Sequence, residues 1–374
     1  METNTTFPAS RVLRVVIDAR LMYYRRAGIS QYTRHLTRAL AQTHTTFGMG
    51  QLSVLLDRRD RDTAWVPPGV NVLRTITPAH HRYEHLFLPL ELTRYLSRFD
   101  VLHSPDFIAP RGRFKKIITI HDLYFLEHPE VMEPVGKRYY GRMSGSAHMA
   151  DHIIAVSDFT RREINRLLPQ VPAEKVSVIH EAGANQLPVS ALDAPIESLK
   201  YALFVGTFEP RKNLVTLLRA LKELPEDIKV MIIGERGWGA TTPARVAQEL
   251  GVVDRVTFAG RVSDAELDRH YRGARMLVIP SLSEGFGLPV LEAMARGVPV
   301  VSSNAGALPE IAGDAALMHD PLDVAALARL MRVVWSSDVV RGDYGRRGLQ
   351  RARNFSWDGT AQATWRVYQT AHKS

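Results

Sequence analysis

Residues 276–296 read MLVIPSLSEGFGLPVLEAMAR, and their reading decides the fold class. Met276–Ile279 is a short apolar run of the kind that forms a strand buried on both faces. Ser281–Leu288 then supplies a glycine-rich turn, and Pro289 stands at the start of a helix, where proline's fixed φ and missing N–H cost nothing. Strand, glycine-rich turn and helix in this order are the repeating unit of an open parallel sheet covered by helices. Gly285 and Gly287 let the backbone approach a ligand closely. The N–H groups of Phe286, Gly287 and Leu288 face outward at the positive end of the helix dipole, which suits an anion. Glu284 before the turn and Glu292 on the helix are out of place beside an anion unless they accept hydrogen bonds from hydroxyls, as a sugar and a ribose provide.

The same alternation runs outward in both directions. Val12–Ile17, Leu52–Leu56, Val101–His103, Ile117–Ile120, Ile153–Val156 and Val176–Ile179 read as strands. After a polar, proline-containing stretch at Glu181–Lys200 the pattern restarts with Ala202–Val205, Val230–Ile233, Val256–Ala259, Met276–Ile279 and Val298–Ser302. Helix starts are legible at Ser30, Ser157, Asn213, Ser263 and Ser356, each placed to cap the run that follows. Glu266 three residues after Ser263 completes a capping box. The last helix carries Trp357, Ala361, Thr364, Trp365 and Tyr368 on one stripe, a face that needs a large apolar surface to cover it. Two α/β domains joined by a linker are therefore expected, with the ligand cleft between them and the interesting residues just beyond strand ends.

The chain of 374 residues is 45% hydrophobic and 23% charged, the balance of a soluble globular protein rather than a disordered or fibrous one. It has no cysteine, which excludes disulfides, thiolate metal sites and a cysteine nucleophile. No apolar run approaches a membrane span, and Met1–Ser10 lacks the regions of a secretory signal, so a cytoplasmic location is expected. The net charge of +9 is concentrated in residues 1–190, which carry 25 basic and 18 acidic side chains. That asymmetry suits an anionic bilayer, a nucleic acid or a phosphorylated substrate, without choosing among them.

Further chemistry sits at other strand exits. Val205–Leu214 reads VGTFEPRKNL, with Gly206 at the turn and Arg211 and Lys212 before a helix. A planar guanidinium beside a compact ammonium matches a diphosphate and stabilises its departure. Thr119–Tyr124 reads TIHDLY, where His121 is placed to meet a sugar hydroxyl and Asp122 to orient the loop. Arg20–Arg34 reads RLMYYRRAGISQYTR, where Gly28 marks a turn ahead of another anion-friendly helix start and Arg25 and Arg26 stand beside it. Gly260-Arg261-Val262 follows a strand and offers backbone groups to a nucleobase edge. Asp60-Arg61-Asp62 has the spacing of a two-carboxylate metal site, but its basic neighbours oppose a cation.

At EPRKNL (209–214), SEGFGLPVLEAMARGVPVVSSNAGALPE (283–310), HDL (121–123), GDAAL (313–317) and FSW (355–357) the sequence resembles the GT-B glycosyltransferases of the large retaining family 4, close to their bacterial mannosyltransferase-like members. The resemblance implies an α/β fold of two Rossmann-like domains. Residues 1–185 would bind the acceptor, 196–355 the nucleotide sugar, and 356–374 would form a helix returning to the first domain. It implies that Arg211 and Lys212 bind the donor diphosphate, that Glu284 holds the donor sugar and Glu292 the ribose, and that the amides of Phe286–Leu288 cradle phosphate and sugar, with Gly285 in the donor site. His121 would lie at the reaction centre, and Gly28, Gly206 and Val262 would complete the donor site. No metal and no cofactor are implied beyond the co-substrate, with GDP-mannose favoured over a UDP-hexose.

The implied acceptor is a glycan or a polyprenyl-diphosphate-linked saccharide, as in O-antigen polysaccharide synthesis. His80–Arg98 and Lys137–Arg142 offer aromatic and basic surface for peripheral contact with the inner face of the cell membrane. Competing readings are a UDP-sugar transferase of the same fold, a nucleotide-sugar epimerase, and a non-catalytic nucleotide-sugar-binding partner subunit. No nucleic-acid-reading motif is present.

Overall fold

The computed structural model describes residues 12–24, 28–47, 50–132, 134–183, 201–237 and 242–373. Its strands are β1 (Arg14–Asp18), β2 (Gln51–Asp57), β3 (Asn71–Thr75), β4 (Val101–Ser104), β5 (Lys115–Ile120), β6 (His152–Ala155) and β7 (Val176–Val178), then β8 (Ala202–Val205), β9 (Val230–Ile233), β10 (Val256–Gly260), β11 (Met276–Ile279), β12 (Val300–Ser303) and β13 (Ala316–His319). Helices α1 (Gly28–Phe47), α2 (Glu84–Leu92), α3 (Tyr124–Glu127), α4 (Pro134–Tyr140), α5 (Met143–Met149), α6 (Asp158–Leu167) and α7 (Leu214–Lys222) alternate with them. They are followed by α8 (Pro243–Glu249), α9 (Asp264–Gly273), α10 (Leu288–Met294), α11 (Leu308–Ala312), α12 (Val324–Ser336), α13 (Asp338–Ala352) and α14 (Trp357–Lys373).

The strands form two sheets, in the orders β3-β2-β1-β4-β5-β6-β7 and β10-β9-β8-β11-β12-β13. Pairing is parallel in both, as between β1 and β4 and between β8 and β11. In each sheet the chain winds outward one way from its first strand and then reverses: β1 lies beside β4, and β8 beside β11. Ligands of open α/β sheets bind beyond the carboxyl ends of the strands at such a reversal. By contact density the chain forms two compact units, one of residues 1–119, 145–154 and 358–374 and the other of 120–144 and 155–357.

The second unit's core lies on both faces of its sheet. Phe204, Val230, Ile232, Met276 and Val278 pack with α7 and α12 on one face, while Leu203, Leu277, Ile279 and Val300 pack with α10 on the other. In the first unit, Val16, Leu55 and Leu102 meet Leu88 and Leu92 of α2. There α14 buries Trp365 and Tyr368, as its apolar stripe requires, and the Tyr368 hydroxyl lies 2.6 Å from His103 Nδ1. His103 Nε2 in turn lies 2.8 Å from Thr119 Oγ1, so the buried imidazole is satisfied at both nitrogens.

Ser157 and Ser263 cap α6 and α9 through their side chains, and Ser263 with Glu266 forms the expected capping box. Two local expectations fail, and two strands were not anticipated. Ser30 lies inside α1, which starts at Gly28. Asn213 does not cap α7 through its side chain: at φ 55° it turns its amide to the carbonyls of Pro280 and Pro321 instead. The edge strands β3 and β13 carry no sequence signal of their own, because NVLRT and ALMH lack the β-branched run of a strand covered on both faces. Arg25, Arg26 and most of the expected linker lie outside the described residues.

Two strand exits of the second sheet almost touch. Gly234, at φ 148°, lies where a Cβ would come within 1.9 Å of the Gly206 carbonyl oxygen. Gly234→Ala is expected to lower stability by at least ~2 kcal/mol through strain and the forced separation of β8 from β9. Thermal or urea unfolding of the variant checks this.

Candidate functional site

The turns after β8 and β11 are stitched together by the backbone. Arg211 and Lys212 end a short 3-10 turn, Pro210–Lys212, and the N–H of Leu282 donates to the Arg211 carbonyl at 2.7 Å. Asn213 fastens the same turn from below, through its amide bonds of 3.0 Å to Pro280 O and 2.8 Å to Pro321 O. Both basic side chains are thereby aimed at the glycine-rich turn 72 residues away.

Glu284 is their target. Lys212 Nζ donates to Oε1 and Oε2 at 2.7 and 2.9 Å, Arg211 Nη1 to Oε2 at 3.1 Å, and Ser281 Oγ to Oε1 at 2.7 Å. The residue is only 7% exposed. Burial alone would raise its pKa, but the charges of Lys212 and Arg211 and the bonds from Lys212 and Ser281 outweigh it and bring the carboxyl down to about 2. Arg211 also binds Glu209 Oε2 at 3.1 Å and lies 3.9 Å from Asp122 Oδ2. Burial opposes its charge, yet these carboxylates raise its pKa further. Asp122 Oδ1 is buried with no hydrogen-bond partner.

The backbone around Glu284 is compressed from two sides. A Cβ on Gly306 (φ 64°) would meet the Glu284 N and O atoms at 2.5 Å, and the N–H of Ala307 donates to Glu284 O at 2.8 Å. A Cβ on Gly285 would lie 1.8 Å from the His121 carbonyl oxygen. The Gly285 carbonyl accepts from Ser157 Oγ at 2.7 Å and Thr160 Oγ1 at 3.1 Å. The glycine that sequence reading assigned to close ligand approach is thus also required by the protein's own backbone.

His121 follows β5, and its Nδ1 lies 2.8 Å from Glu181 Oε1. Donation from Nδ1 leaves Nε2 as the acceptor nitrogen of the ring. Glu292 stands on α10 with its own partner: the hydroxyl of buried Tyr271 donates to Oε2 at 2.6 Å. Burial raises the Glu292 pKa in spite of Tyr271 and Arg296. Phe286 is buried with Phe355 and Leu291, while Gly287 (φ 105°) precedes α10, with Leu288 and Pro289 in that helix's first turn.

Arg211, Lys212, Glu284, Gly285 and His121 are therefore brought together, and Gly206 closes the β8 turn beside Lys212. Val262 lies half-buried beyond β10. Gly28 belongs to the first unit, where a Cβ would meet nothing within 4 Å. Sequence reading missed Ser281, Glu209, Glu181 and Tyr271. Glu209 was legible two residues before Arg211, whereas Glu181 has no local signal, being 60 residues from His121. Among the described residues no group of three or more His, Asp or Glu side chains is placed to hold a metal ion.

Because the folded Glu284 carboxyl is depressed from 4.5 to about 2, its stabilisation is present above pH ~4.5 and is lost as pH falls toward 2. The melting-temperature gap between wild type and Glu284→Gln should be widest near neutral pH and shrink below pH ~4.5. A gap unchanged between pH 7 and 3 would contradict the ion-pair account.

Comparison with known proteins agrees with this fold. The family model for glycosyl transferases group 1 matches residues 193–351, and that for Glycosyltransferase Family 4 matches residues 26–182. O-antigen chain mannosyltransferase B of Escherichia coli is 35% identical over 286 residues, 72% of this chain and 74% of that protein. Among solved structures, sucrose-phosphate synthase from Thermosynechococcus elongatus superposes with a TM-score of 0.77 at 22% identity, covering 96% of this chain and 98% of that one. HepE of Anabaena in complex with UDP and glucose gives 0.71 at 16% identity, covering 96% and 100%. With two parallel Rossmann-like sheets shared with GT-B glycosyltransferases and this level of identity to a mannosyltransferase, the chain belongs to glycosyltransferase family 4.

Proposed function

We propose that this chain transfers mannose from GDP-mannose to a glycan or polyprenyl-diphosphate-linked saccharide, with retention of anomeric configuration and without a metal ion. The observation that carries the reading is the clasp of Lys212, Arg211 and Ser281 on Glu284 at the sheet's reversal point. Mannose is favoured because the 35%-identical relative is named a mannosyltransferase.

In this reading Lys212 and Arg211 take the charge of the departing diphosphate, the role a divalent cation plays elsewhere. Arg211 is already shared among Glu209, Asp122 and Glu284, so Lys212 is the cation that shifts more readily to the phosphates. Glu284 then accepts from hydroxyls of the donor sugar, and Glu292, oriented by Tyr271, accepts from the ribose. His121, held through Glu181, positions the reacting sugar. These contacts orient the donor for attack on the face from which the diphosphate leaves, with no protein nucleophile.

The place proposed for the reaction is the cytoplasmic side of a membrane. Among the described residues no helix is long and apolar enough to cross a bilayer. Exposed Leu86, Phe87 and Leu90 on α2, close in sequence to Arg82 and Arg94, suit peripheral contact with an anionic surface.

Thermal-shift titration with GDP, UDP and ADP and their hexoses should give the largest stabilisation with the GDP compounds, by mass action on the native state. Preferential stabilisation by UDP compounds would move the donor assignment to a UDP-hexose. Lys212→Ala should retain the wild-type fold by circular dichroism and lose about 10²–10³-fold in kcat. Near-normal turnover would remove its diphosphate role. Excess chelator should leave the rate unchanged, and NMR of the product should show the donor's anomeric configuration. Free epimerised sugar formed without acceptor would replace transfer by epimerisation.

A further inference from the structure

Glu209 opens the turn that carries both cations, and its carbonyl accepts the N–H of Lys212 at 3.0 Å. Its side chain is only 10% exposed, and both carboxylate oxygens have partners. Oε1 accepts from the Thr207 hydroxyl at 2.7 Å, and Oε2 accepts from Arg211 Nε at 3.1 Å. The neighbouring backbone is shaped to admit it. Beyond their strand ends β8 and β9 stay paired at Phe208 and Arg236. The N–H of Phe208 donates to the Glu235 carbonyl at 2.8 Å, and that of Gly237 to the Phe208 carbonyl at 3.2 Å. This pairing lays Gly237 on Glu209, where a Cβ would come within 2.5 Å of Glu209 Cγ and 3.0 Å of Oε1. A carboxylate enclosed in this way and bonded at both oxygens is held in one orientation.

That orientation fixes the Arg211 guanidinium, a rigid plane whose donors point in set directions. Nε is held by Glu209, and Nη1 by the Ser283 carbonyl at 3.2 Å and Glu284 Oε2 at 3.1 Å. Bonds at two of the three nitrogens fix the plane, so the third, Nη2, has a defined direction. Among the described residues Nη2 makes no hydrogen bond, and it stands 3.9 Å from Asp122 Oδ2. Its two N–H groups are the donors left over for a ligand anion. Glu284 is the poorer anchor of the two carboxylates, since Lys212 and Ser281 also bind it and the proposed function turns it to sugar hydroxyls. Glu209 keeps its bond to Nε throughout. Its charge acts in the opposite sense on affinity, because a carboxylate beside the cations repels a diphosphate.

We infer that Glu209 is a positioning residue: braced between Thr207 and Arg211, it holds the guanidinium with Nη2 directed at the donor diphosphate, at a cost in diphosphate affinity. The target of Nη2 rests on the transferase reading above; the brace itself does not. Arg211 is thereby the fixed cation of the pair and Lys212 the movable one. Fixed placement counts most in the transition state, where charge builds on the leaving oxygen, and less in the binding of the diphosphate.

Steady-state transfer and calorimetric titration with inorganic pyrophosphate, both on the full chain, test this. Glu209→Ala should lower kcat about 10–100-fold while binding pyrophosphate at least as tightly as wild type. Glu209→Gln keeps both contacts through its amide, accepting from Arg211 Nε and donating to Thr207 Oγ1, but lacks the charge. It should recover most of the lost kcat and bind pyrophosphate several times more tightly than wild type. A side chain that only supported the fold would lose turnover and affinity together. Wild-type kcat in Glu209→Ala, pyrophosphate affinity falling in step with kcat, or a Gln variant no better than Ala would overturn the assignment. Heteronuclear NMR of the arginine side chains reads the brace on wild type, so the test survives a variant that fails to fold. The Arg211 Nε–H signal, identified by its loss in Arg211→Lys, should exchange slowly with water both before and after pyrophosphate is added. Rapid exchange in either state would overturn the brace. Pyrophosphate binding and a protected Nε–H without any sugar transfer would remove the transferase reading and leave the brace; transfer with an unprotected Nε–H would do the reverse.

Discussion

A carboxylate buried between two cations is the constraint on which the rest of the second unit turns. Glu284 sits where its own desolvation is unfavourable, and it stays ionised because Lys212, Arg211 and Ser281 converge on it. Two charges of one sign and one of the other cannot be held this close without rigid supports. The supports are backbone devices: the left-handed turn at Asn213, the carbonyls that Asn213 ties together, and the glycines at 285 and 306 that let neighbouring chain segments close on the turn. A side chain at either glycine would push apart the elements that aim the cations.

The arrangement also explains why the cluster suits a ligand with both negative charge and hydroxyls. In the ligand-free protein the cations and the carboxylate satisfy one another, so the cluster is stable without a donor. On the proposed function, a diphosphate sugar would offer phosphate oxygens to the cations and hydroxyl hydrogens to Glu284. Exchange of partners replaces one set of charge-assisted bonds by another, which limits the desolvation cost of binding.

Both sheets place charged side chains at the reversal of strand order. At β8 and β11 the exits present Arg211 and Lys212, and at β1 and β4 they present Asp18, Ser104 and Asp106. Net charge by halves conceals this, because the basic excess of residues 1–190 is spread over surface arginines while the reversal point itself is acidic.

The amino-acid sequence by itself determined the α/β class, the two-sheet organisation, most strands within a residue or two, and the strand exits that carry Arg211, Lys212, Glu284 and His121. These are local properties: an apolar run of four or five residues, a glycine-rich turn and a capped helix each declare themselves within a dozen positions. The edge strands β3 and β13 did not, because NVLRT and ALMH lack a β-branched apolar run. Only the tertiary structure decided which partners meet. Glu181 with His121, Tyr271 with Glu292 and Gly306 against the Glu284 backbone come from separate turns or elements, each pair more than twenty residues apart. Such contacts follow from sheet order and loop path, and nothing in local periodicity encodes them. Asn213 shows the difference at one residue: its type suits a helix cap, but its Oδ1 accepts from the Thr216 hydroxyl and its amide donates to carbonyls of two distant loops.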